Sequence, residues 1–117
     1  MNIATENRNG KTLLGVKEER LDANNSGELK EYLKRLLENE AKALIIDLST
    51  VSFIDSSGLG ALLSGYKNAN LHQGSLVLCG LQPRVQSMFE LTRLHRVFDI
   101  YPSQQDALDH TEGGKHA

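Results

Sequence analysis

The sequence predicts a single small α/β domain with a mixed β-sheet. Short apolar runs alternate with segments whose apolar residues recur at helical spacing, which is the pattern of strands joined by helical crossovers. Near the start of the chain, the pair Asn9-Gly10 is typical of a tight hairpin turn between antiparallel strands. The sheet should therefore be antiparallel at the hairpin and parallel through the crossovers.

The predicted elements follow the order β-β-α-β-α-β-α-β-α. Their boundaries in chain order are strands 2–8 and 12–20, a polar loop at 21–27, helix 28–39, strand 43–48, a helix from Ser56 to about Leu71 or Gln73, strand 75–79, a third helix from about Pro83, strand 97–101, and a last short helix from 102 to about 109. Residues 1–110 should form one domain, and the tail 111–117 is predicted to be disordered because it has nothing to bury.

The apolar pattern justifies the central elements. Residues 43–48 and 75–79 are almost continuously apolar, as parallel strands covered on both faces tend to be. Over 28–39, Leu and Tyr recur at helical spacing with Lys and Glu opposite them. Gly74 is suited to stopping the preceding helix, and Pro83 to an early position in the next one. The apolar stripe of that third helix consists of Val85, Met88, Phe89, Leu91 and Leu94.

Composition and charge exclude several classes of function. The chain has 117 residues, a net charge of −2 and no Trp, which argues against a nucleic-acid binder that depends on phosphate contacts or aromatic stacking. No apolar run approaches the roughly 20 residues of a membrane helix, and the first residues lack the features of a signal peptide. Cys79 is the only cysteine, so a reducing cytoplasmic setting fits, and Cys79 is interpreted as a small buried apolar residue.

The most informative segment is 55–60, which reads Asp-Ser-Ser-Gly-Leu-Gly and opens a helix after an apolar run. The first N–H groups of a helix have no internal partners and carry a partial positive charge, so a hydroxyl there suits either capping or carrying a phosphate. The two glycines each cost about 1 kcal/mol relative to Ala, and they would let another molecule approach the backbone. Capping and a functional site both stay open at this point.

The sequence offers no catalytic or cofactor constellation. One cysteine and four scattered histidines cannot supply a zinc site, and the histidines show no pairing with a nucleophile. The segment Gly58-Leu59-Gly60 lacks the third glycine of a dinucleotide fingerprint, and no Gly-Lys-Ser/Thr follows it. The chain is therefore predicted to be a non-enzymatic module without cofactor or metal.

A longer run carries a family resemblance. Residues 45–60 read Ile-Ile-Asp-Leu-Ser-Thr-Val-Ser-Phe-Ile-Asp-Ser-Ser-Gly-Leu-Gly, and Leu62-Leu63 and Tyr66-Lys67 follow. This run resembles the STAS domain of bacterial anti-sigma factor antagonists, the group that contains the sporulation and general-stress antagonists. Weaker similarity extends the resemblance to about residues 10–110. The first loop reads Glu-Arg-Leu-Asp where the family usually has Gly-Glu-Leu-Asp, so Asp22 matches and the two residues at its start do not.

The resemblance implies a phosphorylation switch. In the family, the unphosphorylated antagonist binds an ATP-dependent serine kinase that is also the anti-sigma factor, and this binding frees the sigma factor. The kinase inactivates the antagonist by phosphorylating the serine after the motif aspartate, and a PP2C-type phosphatase reverses the step. By position that serine is Ser56, with Ser57 as the alternative acceptor. The partner surface implied by the resemblance consists of Asp22, Asp55, Ser57, Gly58, Leu59 and Gly60.

Three alternatives stay open. The chain could serve as a STAS subunit of a transporter ATPase or another signalling assembly, in which Ser56 is a contact residue and no sigma factor is involved. An enzyme or small-ligand carrier with an anion site at the helix start is disfavoured by the missing catalytic partners. Asp22 could act only within its own loop, by stabilising the turn before the helix at 28–39.

Overall fold

A five-stranded mixed sheet with helices on both faces organises residues 1–111, which are the residues described by this computed structural model. The elements in chain order are β1 Ile3–Arg8, β2 Lys11–Val16, β3 Arg20–Leu21, α1 Ser26–Glu38, β4 Ala43–Asp47, β5 Phe53–Ile54, α2 Ser56–Leu71, β6 Ser75–Cys79, α3 Pro83–Leu91, β7 Ile100–Tyr101 and α4 Gln104–His110. The main sheet has the order β1-β2-β4-β6-β7, and β3 pairs with β5 in a second, two-stranded sheet.

The main sheet has the predicted mixed character. Strands β1 and β2 are antiparallel, whereas the pairs β2–β4, β4–β6 and β6–β7 are parallel. The hairpin turns at Asn9 and Gly10, whose φ angles are 55° and 83°. Positive φ at both central residues is the geometry that an Asn-Gly pair adopts readily, so the turn signal in the sequence is confirmed.

Side chains of the central strands alternate between two apolar layers. Leu44 and Ile46 of β4 face the larger layer, which is covered by α1, α2 and α3. Ile45 of β4 and Val77 of β6 face a smaller layer, which is covered by Ala107 and Leu108 of α4. Because both faces are covered, all five residues of β4 are buried, as the continuous apolar run predicted.

The second strand is shorter than predicted. It was expected over 12–20, but β2 ends at Val16 and the chain then leaves the main sheet. After a gap, Arg20 and Leu21 form β3 in the second sheet. Its partner β5, at Phe53–Ile54, was not predicted as a strand. Two-residue strands carry too few side chains to produce a visible alternation, which is why the sequence pattern gave no signal for them.

The end of the third helix also differs from the prediction. Helix α3 stops at Leu91, whose side chain is 78% exposed rather than part of the apolar stripe. Thr92 is the C-cap of this helix, and its Oγ1 donates a hydrogen bond to the carbonyl of Met88. Arg93 then turns the chain with a φ of 62°. A short 3₁₀ helix at Leu94–Arg96 follows, so the strand expected over 97–101 is reduced to β7.

The remaining elements lie close to their predicted positions. Helix α1 begins at Ser26, two residues earlier than predicted, because the carbonyl of Asp22 accepts hydrogen bonds from the N–H groups of Asn25 and Ser26. Helix α4 starts after Ser103, whose side chain accepts from the N–H of Asp106. Thr111, the first residue of the predicted tail, is buried, and the rest of that tail lies outside the described residues.

None of the helices within residues 1–111 combines the length and the apolar character that crossing a lipid bilayer requires. Cys79, at the end of β6, is fully buried in the smaller apolar layer, which confirms its interpretation as a core residue. Burial, and secondly the negative charge of Asp47, raises the pKa of the Cys79 thiol to about 12. The thiol is therefore neutral throughout the physiological range.

The raised pKa of Cys79 predicts a loss of stability in alkaline solution. In the unfolded chain the thiol ionises near pH 8.5, whereas in the folded state it stays protonated to about pH 12. Between these values the unfolded state alone releases the proton, so the free energy of unfolding should fall by up to about 1.4 kcal/mol per pH unit. Replacing Cys79→Ala should remove this part of the slope in denaturant unfolding between about pH 8 and pH 11. Equal slopes for the two proteins would contradict it.

Candidate functional site

The parallel pair β3–β5 brings together the two loops in which the sequence predicts functional residues. Its register pairs Leu21 with Ile54. The next residue on each strand is an aspartate, Asp22 on one and Asp55 on the other. Carboxyl ends of neighbouring parallel strands lie at the same edge of a sheet, and such edges carry ligand and partner sites in α/β folds. The Asp22 loop therefore lies beside the start of α2.

Asp55 is the N-cap of α2. Its carboxylate Oδ1 accepts a hydrogen bond from the N–H of Gly58 at 3.0 Å, and its backbone is extended. Its carbonyl accepts the first helical hydrogen bond, from the N–H of Leu59 at 3.0 Å. The carboxylate thus satisfies a donor that the helix itself leaves unpaired. The capping role that the sequence assigned to this segment belongs to Asp55, and the serine hydroxyls are not needed for it.

Ser56 is exposed at the first position of α2, and Ser57 beside it is half-buried. Within residues 1–111 we find no hydrogen-bond partner for the N–H group of either serine, as is usual for the first turn of a helix. The Ser56 hydroxyl also makes no hydrogen bond to another described group. Of the two hydroxyls, that of Ser56 is thus the more accessible to an external reagent or protein.

Gly58 is required by contacts inside the chain. A Cβ at this position would lie 2.5 Å from the carbonyl oxygen of Leu21 and 2.8 Å from Cγ1 of Ile54. Gly58 therefore lets the first turn of α2 approach β3 and β5 closely. The prediction that this glycine opens the backbone to another molecule is wrong for Gly58, because its own chain fills the space.

Leu59 and Gly60 have opposite environments. The Leu59 side chain packs in the larger apolar layer and is 5% exposed, so it offers almost no surface to a partner. Gly60 is exposed, and a Cβ built there would meet nothing within 4 Å. Of the two predicted contact positions, only Gly60 gives a partner direct access to the helix backbone.

Asp22 is buried, and its carboxylate is engaged by groups of its own loop. The residue is 9% exposed; its Oδ1 accepts from the N–H of Asn24 at 3.0 Å, and its Oδ2 lies 3.2 Å from Nε of Arg20. The Arg20 guanidinium in turn stacks on the ring of Phe53, 4.0 Å from its centroid. Asp22 therefore stabilises the turn before α1 and fixes Arg20 over β5, which is the role that the sequence left open as an alternative.

A groove that the sequence did not reveal runs beside Ser56. It lies between β5 and α3 and has a volume of about 440 Å³. Its lining residues are Ser52, Phe53, Ile54, Asp55, Ser56, Arg84, Ser87 and Met88. The helix α3 is held against the loop that leads into β5, because Nε2 of Gln82 donates to the carbonyl of Ser49 at 2.7 Å. No sequence signal pointed to this groove, since it depends on packing between elements about 30 residues apart.

The loop before β5 is held by a buried carboxylate at the end of β4. Asp47 accepts from the N–H of Ser49 at 2.8 Å through Oδ1 and from Nε2 of Gln104 at 2.6 Å through Oδ2. Both oxygens are therefore engaged in hydrogen bonds that hold the fold. The geometry gives Asp47 a structural role.

Three histidines within residues 1–111 make hydrogen bonds to the main chain. His72, His95 and His110 each place Nδ1 on a main-chain carbonyl, of Asn68, Phe89 and Asp106 respectively. Among residues 1–111, no group of three or more His, Cys, Asp or Glu side chains is placed to hold a metal ion.

The chain is similar to proteins of one family. The family profile described as STAS domain matches residues 2–107. An anti-sigma-B factor antagonist of Listeria monocytogenes serovar 1/2a is 38% identical over 80 residues, which cover 68% of this chain and 70% of that protein. The solved structure of an anti-sigma factor antagonist from Mycobacterium paratuberculosis has a TM-score of 0.84 at 26% identity, and the match covers 94% of this chain and 92% of that one.

The fold is also that of SpoIIAA, a Bacillus cell fate determinant solved in two forms. The unphosphorylated form matches with a TM-score of 0.78 at 19% identity over 92% of this chain and 94% of that one. The phosphorylated form matches with a TM-score of 0.71 at 18% identity over 92% and 97%. These matches concern the fold, whereas the family profile and the Listeria relative confirm the resemblance that the motif carries.

The environments of the two glycines in α2 predict opposite effects of a methyl group. Gly58→Ala should lower the free energy of unfolding by about 2–3 kcal/mol, because the added carbon overlaps with Leu21 and Ile54. The matched change Gly60→Ala should raise it by up to about 1 kcal/mol, since Ala is the better helix former and the space is open. Denaturant unfolding of both variants gives the comparison. Equal effects would show that the approach of α2 to β3 is looser than described.

Proposed function

Because the chain belongs to the STAS domain family, we propose that it is an anti-sigma factor antagonist. In its unphosphorylated form it binds an anti-sigma factor that is also an ATP-dependent serine kinase, and this binding frees a sigma factor for transcription. The names of the relatives support the antagonist role. The observation that carries the proposal for this chain is the exposed, unengaged hydroxyl of Ser56 within the family motif.

Ser56 is the proposed phosphoacceptor. It is exposed at the helix start, whereas Ser57, the alternative acceptor, is half-buried. The cap is supplied by Asp55, so modification of Ser56 breaks no structural hydrogen bond. The free N–H groups of the first turn and the positive end of the helix favour a phosphate at this position. A PP2C-type phosphatase is the proposed enzyme for reversal.

The proposed contact surface combines the two loops at the carboxyl ends of β3 and β5. Ser57 and Gly60 offer direct contact because they are at least partly exposed. Asp55 shapes the surface as the cap of α2, and Gly58 and Leu59 shape it from beneath. Asp22 contributes through the loop that it holds. The kinase would thus contact two loops that hydrogen bonds already hold in place, which lowers the entropic cost of association.

The proposed phosphorylation changes the surface and leaves the fold in place. A phosphoserine adds a charge of about −1.5 to −2 at neutral pH, which the helix start favours and the nearby carboxylates oppose. Each of these terms is on the order of 1 kcal/mol at a solvated surface, against the roughly 5–15 kcal/mol that holds a domain folded. A bulky phosphate within an interface without good partners costs several kcal/mol, enough for a hundredfold loss of affinity or more. The unphosphorylated and the phosphorylated form of SpoIIAA both match the fold of this chain, which supports a switch that leaves the fold in place.

The proposed role is that of a cytoplasmic binding module and kinase substrate, not of an enzyme. The family match and the exposed, unengaged hydroxyl of Ser56 support this role. A STAS subunit of a transporter or of another signalling assembly is the alternative. It has some support at the level of the fold, since part of the murine anion transporter Slc26a9 matches with a TM-score of 0.71 at 20% identity over 85% of this chain and 17% of that one. A stable complex with no phosphate transfer from any anti-sigma kinase would favour the alternative.

The assignment of Ser56 as the phosphoacceptor predicts different results for two serine variants. Incubation of the purified protein with the anti-sigma kinase of its source organism and ATP should add one phosphate, read by intact mass. Ser56→Ala should abolish this addition and still bind the kinase, and its free energy of unfolding should change by less than about 0.5 kcal/mol because Asp55 provides the cap. The matched control Ser57→Ala should keep the phosphate. Mapping of the phosphate to Ser57 would reverse the assignment.

The geometry of Asp22 predicts that stability and binding change together. Asp22→Ala leaves the N–H of Asn24 and the guanidinium of Arg20 without their acceptor, so it should lower the free energy of unfolding by about 1–2 kcal/mol. Kinase binding, measured by calorimetry below the unfolding transition, should weaken as the loop loosens. Asp22→Asn keeps an oxygen for Asn24 and should recover most of the stability. Full kinase affinity in Asp22→Ala would remove this loop from the contact surface.

A further inference from the structure

We propose that Arg84 binds the phosphate of phosphorylated Ser56 across the groove between β5 and α3. The inference rests on the proposed phosphorylation of Ser56 and adds a residue that receives the new charge. Ser56, directly after β5, and Arg84, on α3, both line this groove. A phosphate on Ser56 would therefore lie at the edge of the groove that Arg84 also lines.

Arg84 is available for this contact. Its side chain is exposed on the first turn of α3, and within residues 1–111 it forms no ion pair. It is also the only cationic residue among those that line the groove. A guanidinium presents a planar fork of donors that matches two phosphate oxygens, and such charge-assisted pairs are shorter and stronger than neutral hydrogen bonds.

The other charged groups near the groove are already engaged. The Asp55 carboxylate accepts from the N–H of Gly58 through Oδ1, and within residues 1–111 it forms no ion pair with Arg84. Arg20, the nearby cation on β3, is held by Asp22 at 3.2 Å and by the ring of Phe53. The phosphate would thus meet one free guanidinium, that of Arg84.

The walls of the groove are fixed relative to each other. Val85 and Phe89 bury one side of α3 in the larger apolar layer. The hydrogen bond from Gln82 to the carbonyl of Ser49 ties the start of α3 to the loop before β5. Since the backbone positions of Ser56 and Arg84 are set in advance, only the flexible Arg84 side chain must order when the phosphate arrives.

The pair would change the shape of this face as well as its charge. The groove floor is apolar, with contributions from Phe53, Ile54 and Met88. A guanidinium bound to a phosphate at its edge would lie over this floor and partly neutralise the added charge. A partner that contacts Ser56 would then meet a closed groove as well as a negative group.

The test uses protein that carries phosphoserine at position 56 by genetically encoded incorporation, so it does not depend on any kinase. A ³¹P NMR titration gives the second pKa of the phosphate, which is about 6 for free phosphoserine. The pKa in the wild-type background should lie about half a unit or more below that in Arg84→Gln at low salt, and the difference should shrink at high salt. The matched control Arg96→Gln removes an exposed cation of the 3₁₀ helix, outside the groove, and should match the wild type.

A second readout follows the groove itself. The chain has two methionines, so methyl-labelled protein gives two signals: Met88 in the groove, and Met1, which lines a different cavity with Glu28. Phosphoserine at position 56 should shift the Met88 signal and not that of Met1, and Arg84→Gln should reduce the Met88 shift. An equal phosphate pKa in wild type and Arg84→Gln would overturn the proposal. The kinase experiment with Ser56→Ala would be unaffected by that result, so the two proposals can fail separately.

Discussion

The close approach of α2 to the carbonyl of Leu21 is the contact on which the candidate site depends. That oxygen accepts from the N–H of Asp55 at 3.3 Å, and a Cβ on Gly58 would lie 2.5 Å from it. The missing side chain at Gly58 therefore sets how near the helix start can lie to β3. This distance in turn places Ser56 beside the Asp22 loop, so two segments more than 30 residues apart form one surface.

A series of polar contacts extends this constraint to the rest of the edge. Gln104 of α4 donates to Asp47 at the end of β4, and Asp47 accepts from the N–H of Ser49 in the following loop. The carbonyl of Ser49 then accepts from Gln82 at the start of α3. Elements on both faces of the main sheet are thus joined to the loop that leads into β5. Because the two hydrogen bonds to Asp47 are partly buried, breaking either of them would leave a polar atom without a partner, and this holds the edge in place.

The sequence could predict the elements that carry their own signal. Strand β4 is a run of five buried residues, and the hairpin has an Asn-Gly pair, so both were recognised without knowledge of their neighbours. The second sheet could not be recognised from the sequence. Its strands β3 and β5 are only two residues long, and each is a strand because it pairs with the other. Leu91 was assigned to an apolar stripe because helical spacing does not tell whether the last turn has a neighbour to cover it.

The same distinction between local signals and tertiary contacts explains which parts of the candidate site could be predicted. The position of Ser56 at a helix start and that of Asp22 in a loop follow from local sequence, whereas the pairing of β3 with β5 that brings the two together does not. The roles of Gly58 and Arg84 do not, since one depends on the carbonyl of Leu21 and the other on the packing of α3 against β5. Residues whose role comes from tertiary contacts have no spacing or motif to identify them, so only the structure reveals them.

The arrangement at the helix start separates the stability of the domain from the proposed modification of Ser56. The cap that completes α2 is the carboxylate of Asp55, and the neighbouring hydroxyl of Ser56 is exposed and structurally unengaged. A serine that also served as the cap would lose its hydrogen bond on modification, at a cost of about 1 kcal/mol to the domain. With the cap on Asp55, a charge added to Ser56 acts on whatever approaches the surface and on the groove beside it. The proposed switch can therefore be set and reset many times on a domain whose fold does not take part in it.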